Sequence, residues 1–490
     1  MNNIFDKLKV YSDSDYYAFH MPGHKRNLDL MDGTSPYRID ITEIDGFDDL
    51  HHAEGILRDA QERAARVYHA DETHFLVNGS TVGILSAILG TTEKGDSILV
   101  ARNCHKSVYH AIYLNELDPV YLYPKFDTEQ GLSTEIDAAD VQKALEEHPK
   151  IRAVMIVSPT YDGVVSDIEK IAEIVHAKGC PLIVDEAHGA HFGFDPYFPK
   201  SANIYGADLV INSLHKTLPA LTQTALLHVN GDMVKRRKVK QYLDMLQTSS
   251  PSYILMASID ACIGMLEETL ETHSDARSDY KYKNKNIFSE YANRIEALRK
   301  DLKRLKYLKI IQTDNTDRYD RSKFVISVKH APMSSHELYE ILLHRYHLQM
   351  EMLAGTYVLA MTTVGDTQEG LDRLRDALLE IDKEIDTKQG RPAAIETDLP
   401  LSGRQPALEK VWTIAEAVNR RDKIQKRSFE DSIGCISVEY AYLYPPGSPL
   451  IVPGERITKE AVEILHWYQE HDFSIEGLQS EDGIEVWIDG

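Results

Sequence analysis

The sequence predicts an α/β protein built on a mainly parallel sheet flanked by helices, followed by a smaller α+β domain and a C-terminal domain. Three observations predict it. Short continuous apolar runs alternate with helical stretches, a second set of β-rich runs follows a long charged stretch, and a segment rich in Pro, Gly and polar residues lies between Asp386 and Ala407.

At 490 residues, 43% hydrophobic and 27% charged, the chain is too long for one ordinary core, so two or three domains are expected. Residues 1–50 carry Pro22, Gly23, Gly33, Pro36 and Gly46 among scattered acids and read as an N-terminal arm, not a core segment. Residues 51–285 form the large α/β domain. Its runs His74–Asn78, Ser97–Ala101, Ala153–Val157, Pro181–Asp185, Asp208–Asn212 and Ala225–Val229 are apolar without alternation, which suits strands buried on both faces of a parallel sheet. Residues 286–385 are the smaller α+β domain. It is entered by a heptad-like stretch between Tyr280 and Tyr307, read as a long helix, and it contains the strand-like runs Phe324–Val328 and Tyr357–Met361. Residues 386–407 are a linker, and 408–490 a C-terminal domain.

The formal net charge of −23 repels nucleic-acid phosphates and anionic lipid and favours cationic small molecules at long range. Cys104, Cys180, Cys262 and Cys435 form no CxxC or other metal-ligand spacing, so no metal is expected and the thiols read as reduced. The opening MNNIFDKLKVY has no apolar signal region, and no run is long enough to span a membrane, so a cytoplasmic location is expected.

The chemistry concentrates where apolar runs end, the edge at which open parallel sheets bind ligands. Asn212–Thr217 (NSLHKT) sets Ser213, His215 and Lys216 directly after one run. A desolvated lysine becomes an imine-forming nucleophile, although a lone Lys216 reads better as a solvated loop residue. Asp185 changes that reading, because it ends another run and a carboxylate there can hold a pyridinium nitrogen protonated, making the ring an electron sink. On its own Asp185 would be a helix cap. In Val77–Gly83 (VNGSTVG), Ser80 and Thr81 lie where a helix begins and could seat a phosphate, or simply cap that helix; neither the Walker A nor the GxGxxG pattern is present. His105, after the run ending at Ala101, sits where an imidazole could stack on a ring, though a lone His is more often structural.

Nearly the whole chain resembles the group-III, fold-type-I decarboxylases that use pyridoxal 5'-phosphate (PLP) and act on arginine, lysine and ornithine. The resemblance rests on Ala18–Lys25 (AFHMPGHK), Asp40–Leu50 (DITEIDGFDDL), NGST, NCHKS, Asp185–His188 (DEAH), Ser213–Lys216 (SLHK), Thr248–Tyr253 (TSSPSY) and Tyr444–Glu455 (YPPGSPLIVPGE). It implies that Lys216 carries PLP as a Schiff base, Asp185 contacts the pyridine nitrogen, His105 stacks on the ring, and Ser80, Thr81, Ser213 and His215 hold the phosphate. It also implies that Thr248 or Ser249 reaches the phosphate of a neighbouring subunit, making the protein a homodimer or higher oligomer with shared sites. The larger inducible members carry an extra wing ahead of the AFHMPGHK-type segment, which here begins at residue 18, so their wing-mediated decamer is not expected.

The expected reaction is decarboxylation of a basic L-amino acid to its amine. Arginine to agmatine is first choice, by the compact wingless layout, lysine to cadaverine is a close second, and ornithine to putrescine is the third possibility. Lys216 or His188 is the candidate proton donor to the product carbon. The substrate's distal cation needs an unpaired carboxylate, for which Glu455 is the choice by resemblance, with Glu43, Asp45, Asp48 and Asp49 of the arm as alternatives. The rival readings are another fold-type-I enzyme, an aminotransferase or aldolase, and a catalytically silent relative that regulates a partner.

Overall fold

A computed structural model of the chain describes residues 14–25, 27, 36–271, 286–311, 318–387, 404–420, 422–444 and 447–488. The first strand, β1 (Tyr17–Phe19), belongs to the segment read as an arm. The large sheet uses β2 (Glu72–Leu76), β3 (Ser97–Ala101) and β4 (Asp118–Leu122); the short pair β5 (Phe126–Asp127) and β6 (Leu132–Ser133) follows. Then come β7 (Ile151–Val157), β8 (Leu182–Asp185), β9 (Leu209–Asn212) and β10 (Ala225–Val229). The seven strands are ordered β2-β10-β9-β8-β7-β3-β4, and β10 runs antiparallel to both its neighbours while the rest are parallel.

The apolar runs without alternation form these strands because both faces of the sheet are covered. Phe75 and Leu226 point into one buried cluster, whereas their chain neighbours Leu76 and Leu227 point into another on the opposite face, as the two-residue period of a strand requires. Helices Gly79–Thr91, Lys106–Leu114 and Ile168–Ala177 bury residues in the second cluster, and Tyr253–Glu271 and Ile287–Leu302 in the first. The long charged helix expected between Tyr280 and Tyr307 is thus described over Ile287–Leu302, its residues 280–285 lying outside the described ones.

The next strands are β11 (Lys309–Ile310), β12 (Lys323–Ser327), β13 (Leu348–Met350), β14 (Met352–Ala354) and β15 (Tyr357–Met361), of which four form the smaller sheet in the order β11-β12-β15-β14. β1 pairs in parallel with β13, Phe19 opposite Met350. The arm reading needs correction here: Ala18 and Phe19 are buried, and Phe19 joins the large cluster, because the backbone groups of β13 offer an edge on which three arm residues complete a ladder. Of the predicted linker, residues 388–403 lie outside the described residues; 386 and 387 end the helix Gln368–Thr387, and Arg404 bridges to Lys125.

Beyond it, β16 (Ile424–Arg427), β17 (Ile436–Ser437), β18 (Ala441–Tyr444), β19 (Ser448–Ile451), β20 (Ser474–Glu476) and β21 (Ile484–Trp487) make two three-stranded sheets around the helix Lys459–Glu470. They share a core that includes Leu450, Ile464 and Val486. Ile414 and Val452 extend into the second cluster of the large sheet, which seats this unit against the carboxyl ends of the central strands.

Candidate active site

The sheet order explains why residues from distant motifs meet. β9, β8, β7 and β3 are consecutive neighbours, so the loops leaving their carboxyl ends stand side by side. Those loops carry Lys216, Asp185 with His188, Thr160 to Asp162, and Asn103 to His105, and all these residues line one cavity of about 280 Å³. Ser80 comes from β2, two places from β9. The helix Gly79–Thr91 carries it back, and the Ser213 hydroxyl donates to the Ser80 hydroxyl at 3.2 Å. The two hydroxyls and the helix N-terminus form a seat for an anion.

Asp185 is buried, and one of its oxygens accepts the Ala187 N–H at 3.1 Å. Burial raises its carboxyl above the usual range, while Lys216 and that N–H pull the other way. Burial likewise lowers the Lys216 ammonium, against the opposing charges of Asp185 and Glu351. Both groups are thereby moved toward neutrality, the signature of a site tuned for proton chemistry. Lys216 Nζ lies 3.1 Å from His188 Nε2, and on the other side of that ring Nδ1 lies 3.3 Å from Lys323 Nζ. The Tyr161 ring packs on His188, centroids 4.4 Å apart, and the Tyr161 hydroxyl donates to Glu351. His105 opens onto the cavity; its Nδ1 accepts the Ser107 N–H, and dehydration followed by the Lys216 and Lys106 charges keeps the ring neutral.

The walls come from the other units. Thr356 and Tyr357 of the small domain, and Leu450, Ile464 and Tyr468 of the C-terminal domain, complete the cavity. Of the described residues that line it, only Asp185 and Asp162 are acids. Asp162 is buried, accepts from the Tyr357 hydroxyl, and is pushed up to about 6 by burial, with the Tyr357 bond and Lys323 opposing. Sequence reasoning missed it and Lys323; the available signal was that Ser158–Gly163 follows a β-run as directly as the chosen motifs do.

Of the sequence-predicted residues, the structure brings Lys216, Asp185, His105, His188, Ser80 and Ser213 together. Thr81 is exposed, and His215 turns its Nδ1 to the Thr224 carbonyl at 3.0 Å. Thr248 and Ser249 are exposed; the Thr248 N–H donates to the Asn78 side chain of its own chain at 3.2 Å, beside the start of the helix that bears Ser80. Glu455 requires correction. It is 1% exposed, and both its oxygens accept from the Arg102 guanidinium at 2.8 Å, so it is not the unpaired carboxylate that a substrate cation needs. Arg102, which directly follows β3, also donates to the Leu450 carbonyl and lies 4.7 Å from the Tyr121 ring centre.

Among the described residues no cluster of His, Cys, Asp and Glu is arranged to hold a metal, and no helix is long and apolar enough to cross a membrane. The donor set fits PLP: a half-buried amine for its aldehyde, a buried acid one strand away for its pyridine nitrogen, and paired hydroxyls at a helix start for its phosphate.

The family profile "Orn/Lys/Arg decarboxylase, major domain" matches residues 2–341, and the corresponding C-terminal-domain profile matches 404–486. The chain belongs to the Orn/Lys/Arg decarboxylase family. Relatives of this family member include an arginine decarboxylase of Bacillus subtilis, 30% identical over 94% of this chain and 92% of that one. A second Bacillus subtilis protein, YaaO, is 36% identical over 94% and 93% of the two chains. Among solved structures, the constitutive lysine decarboxylase of Escherichia coli superposes with a TM-score of 0.77 at 20% identity, covering 99% of this chain and 81% of that one, which establishes the fold-type-I architecture.

Proposed function

We propose that this family member removes the α-carboxylate of a basic L-amino acid with PLP bound at Lys216, arginine being the preferred substrate and lysine the next. The observation that carries this reading is the cavity in which Lys216 and Asp185 meet at adjacent strand ends while Asp162 stands as the one other acid among the described residues that line it. PLP supplies an electron sink when bound. Asp185 would hold its pyridine nitrogen, Ser80 and Ser213 would seat its phosphate, and His105 would pack against its ring. Asp162 takes the place first given to Glu455 and binds the distal cation, while the apolar walls Leu450 and Ile464 keep water from it. The full-length arginine decarboxylase relative supports arginine.

Each site is shared between two subunits, Thr248 and Ser249 reaching a partner's phosphate seat. The exposed apolar side chains Ile44, Phe47 and Met245 on the neighbouring surface support a subunit interface there. The four unpaired cysteines support a reducing cytoplasm. Shared sites have a direct test: Lys216→Ala and a Thr248/Ser249 double-alanine variant, refolded together, should regain on the order of a quarter of wild-type activity, and no recovery in proven mixed dimers excludes sharing.

The test of the reaction is carbon dioxide release from arginine, lysine and ornithine in parallel. Release with arginine above lysine is expected. Keto-acid formation without carbon dioxide would make the protein an aminotransferase, and a colourless protein inert toward all three would make it a silent relative.

A further inference from the structure

Lys323 is a fully buried lysine in the first position of β12, and nothing in the reading above uses it. Its stem passes under Gly163, where an added Cβ would come within 3.0 Å of Lys323 Cγ, so the loop after β7 leaves room for this side chain. Among the described residues the ammonium forms no ion pair, and its hydrogen bond goes to His188 Nδ1 at 3.3 Å. An ammonium only donates, so Nδ1 of a neutral imidazole beside it is the acceptor and the ring proton sits on Nε2. Nε2 faces Lys216 Nζ at 3.1 Å, and Lys216, whose ammonium burial also lowers, accepts the Nε2–H as a neutral amine. His188 is held neutral above all by burial.

We propose that Lys323 is a positioning residue that fixes the His188 tautomer and supplies, through His188, the proton that the product carbon gains. The proposal rests on the decarboxylase reading. When the C–COO⁻ bond breaks, carbon dioxide leaves and the electron pair stays on the substrate carbon, which must gain one proton per turnover. A neutral imidazole cannot give up its Nε2 proton unless Nδ1 is protonated in the same event. Lys323 makes that exchange possible: its N–H proton passes to Nδ1, the Nε2 proton forms the new C–H bond, and Lys323 is left as a neutral amine. After product leaves, Nε2 takes up from solvent the one proton that each turnover consumes, and the Nδ1 proton returns to Lys323. Burial brings the Lys323 ammonium down to about 8, with Asp320 and Glu351 favouring its charge and Lys216 and Lys25 opposing it, which suits a group that gives and regains a proton.

The experiment uses Lys323→Met, which keeps the stem and loses the charge, and Lys323→Arg, which keeps a donor but does not release a proton. The first readout is nitrogen NMR of histidine-labelled protein with and without PLP, the His188 signal being assigned with His188→Gln. Wild type and Lys323→Arg should show the Nε2–H form, and Lys323→Met a mixture. The second readout is the fate of substrate: both variants should lose about a hundredfold in amine formation and divert a larger share of turnovers to aldehyde, the product of protonation at the wrong carbon. A Lys323→Met protein with wild-type tautomer, or one whose rate and product ratio stay within about twofold of wild type, overturns the proposal. Wild-type enzyme that releases no carbon dioxide from any basic amino acid overturns the decarboxylase reading instead, and leaves the tautomer result standing.

Discussion

Two acid–base pairs lie close together at the carboxyl end of the large sheet, and they are built in opposite ways. Arg102 and Glu455 meet through two bonds of 2.8 Å, with the Leu450 carbonyl and the Val452 N–H as further partners. Burial alone would pull the Arg102 charge down, but Glu455 together with Tyr109, Tyr123 and Tyr121 outweighs it and holds the guanidinium above its ordinary range. Asp185 and Lys216 share no such fork, and burial moves each of them toward its neutral form. A pair locked in a two-bond fork is a clasp; it joins the C-terminal unit to β3 and fixes the wall of the cavity. A pair left under-satisfied keeps its protons exchangeable, which is what a site of proton chemistry requires.

The comparison breaks most visibly at Lys216. Lys216→Ala should lose the visible absorbance of bound PLP and nearly all turnover, more than about 10⁴-fold, with the unfolding midpoint of the PLP-free protein unchanged or raised, since a dehydrated amine is removed. Absorbance spectra and thermal unfolding measure both, and a coloured, active variant removes Lys216 from its role.

Glu455→Ala should do the reverse. It strands the Arg102 charge in the interior, at a cost of about 3–5 kcal/mol, while the fraction that stays folded keeps its specificity among basic amino acids. Denaturant unfolding and KM values separate the two effects. If stability holds and KM for arginine alone rises, Glu455 is a substrate ligand after all and the clasp description fails.

How much of this was legible beforehand depended on the range of the interactions. The strand ends could be read because adjacency in a parallel sheet follows from local runs: Asp185 closes β8, and Lys216 lies four residues beyond the end of β9. Glu455 was misjudged because its segment shows a carboxylate but not its partner, and Arg102 is 353 positions away. Asp162 and Lys323 look like a turn acid and a solvated strand start, and only the docking of the small domain on the β7 loop buries them. The arm was misjudged for a similar reason, since a three-residue strand carries too little pattern to announce the edge on which it pairs.

Asp162 is either a reactive acid that meets the substrate cation or a fixed partner of the Tyr357 hydroxyl, and pH tells the two apart. Its carboxyl lies at about 6, raised by burial from an ordinary 3.8. Binding of a basic amine should therefore weaken as pH falls through about 6, because protonation removes the charge that the cation meets. Asp162→Asn should bind agmatine or cadaverine about 10- to 100-fold more weakly near neutral pH, and without that inflection. The stability effect has the opposite sense. A folded pKa above the unfolded one contributes stability that is present in full below 3.8 and lost as pH rises through about 6, so the asparagine variant should gain on wild type across that window, by on the order of 3 kcal/mol. Calorimetric titration of the product amine and thermal unfolding, each across the same pH range, read the two trends. Wild-type binding that ignores pH near 6, or an asparagine variant that binds as tightly as wild type, would show that the cation is held elsewhere and that Asp162 serves only Tyr357.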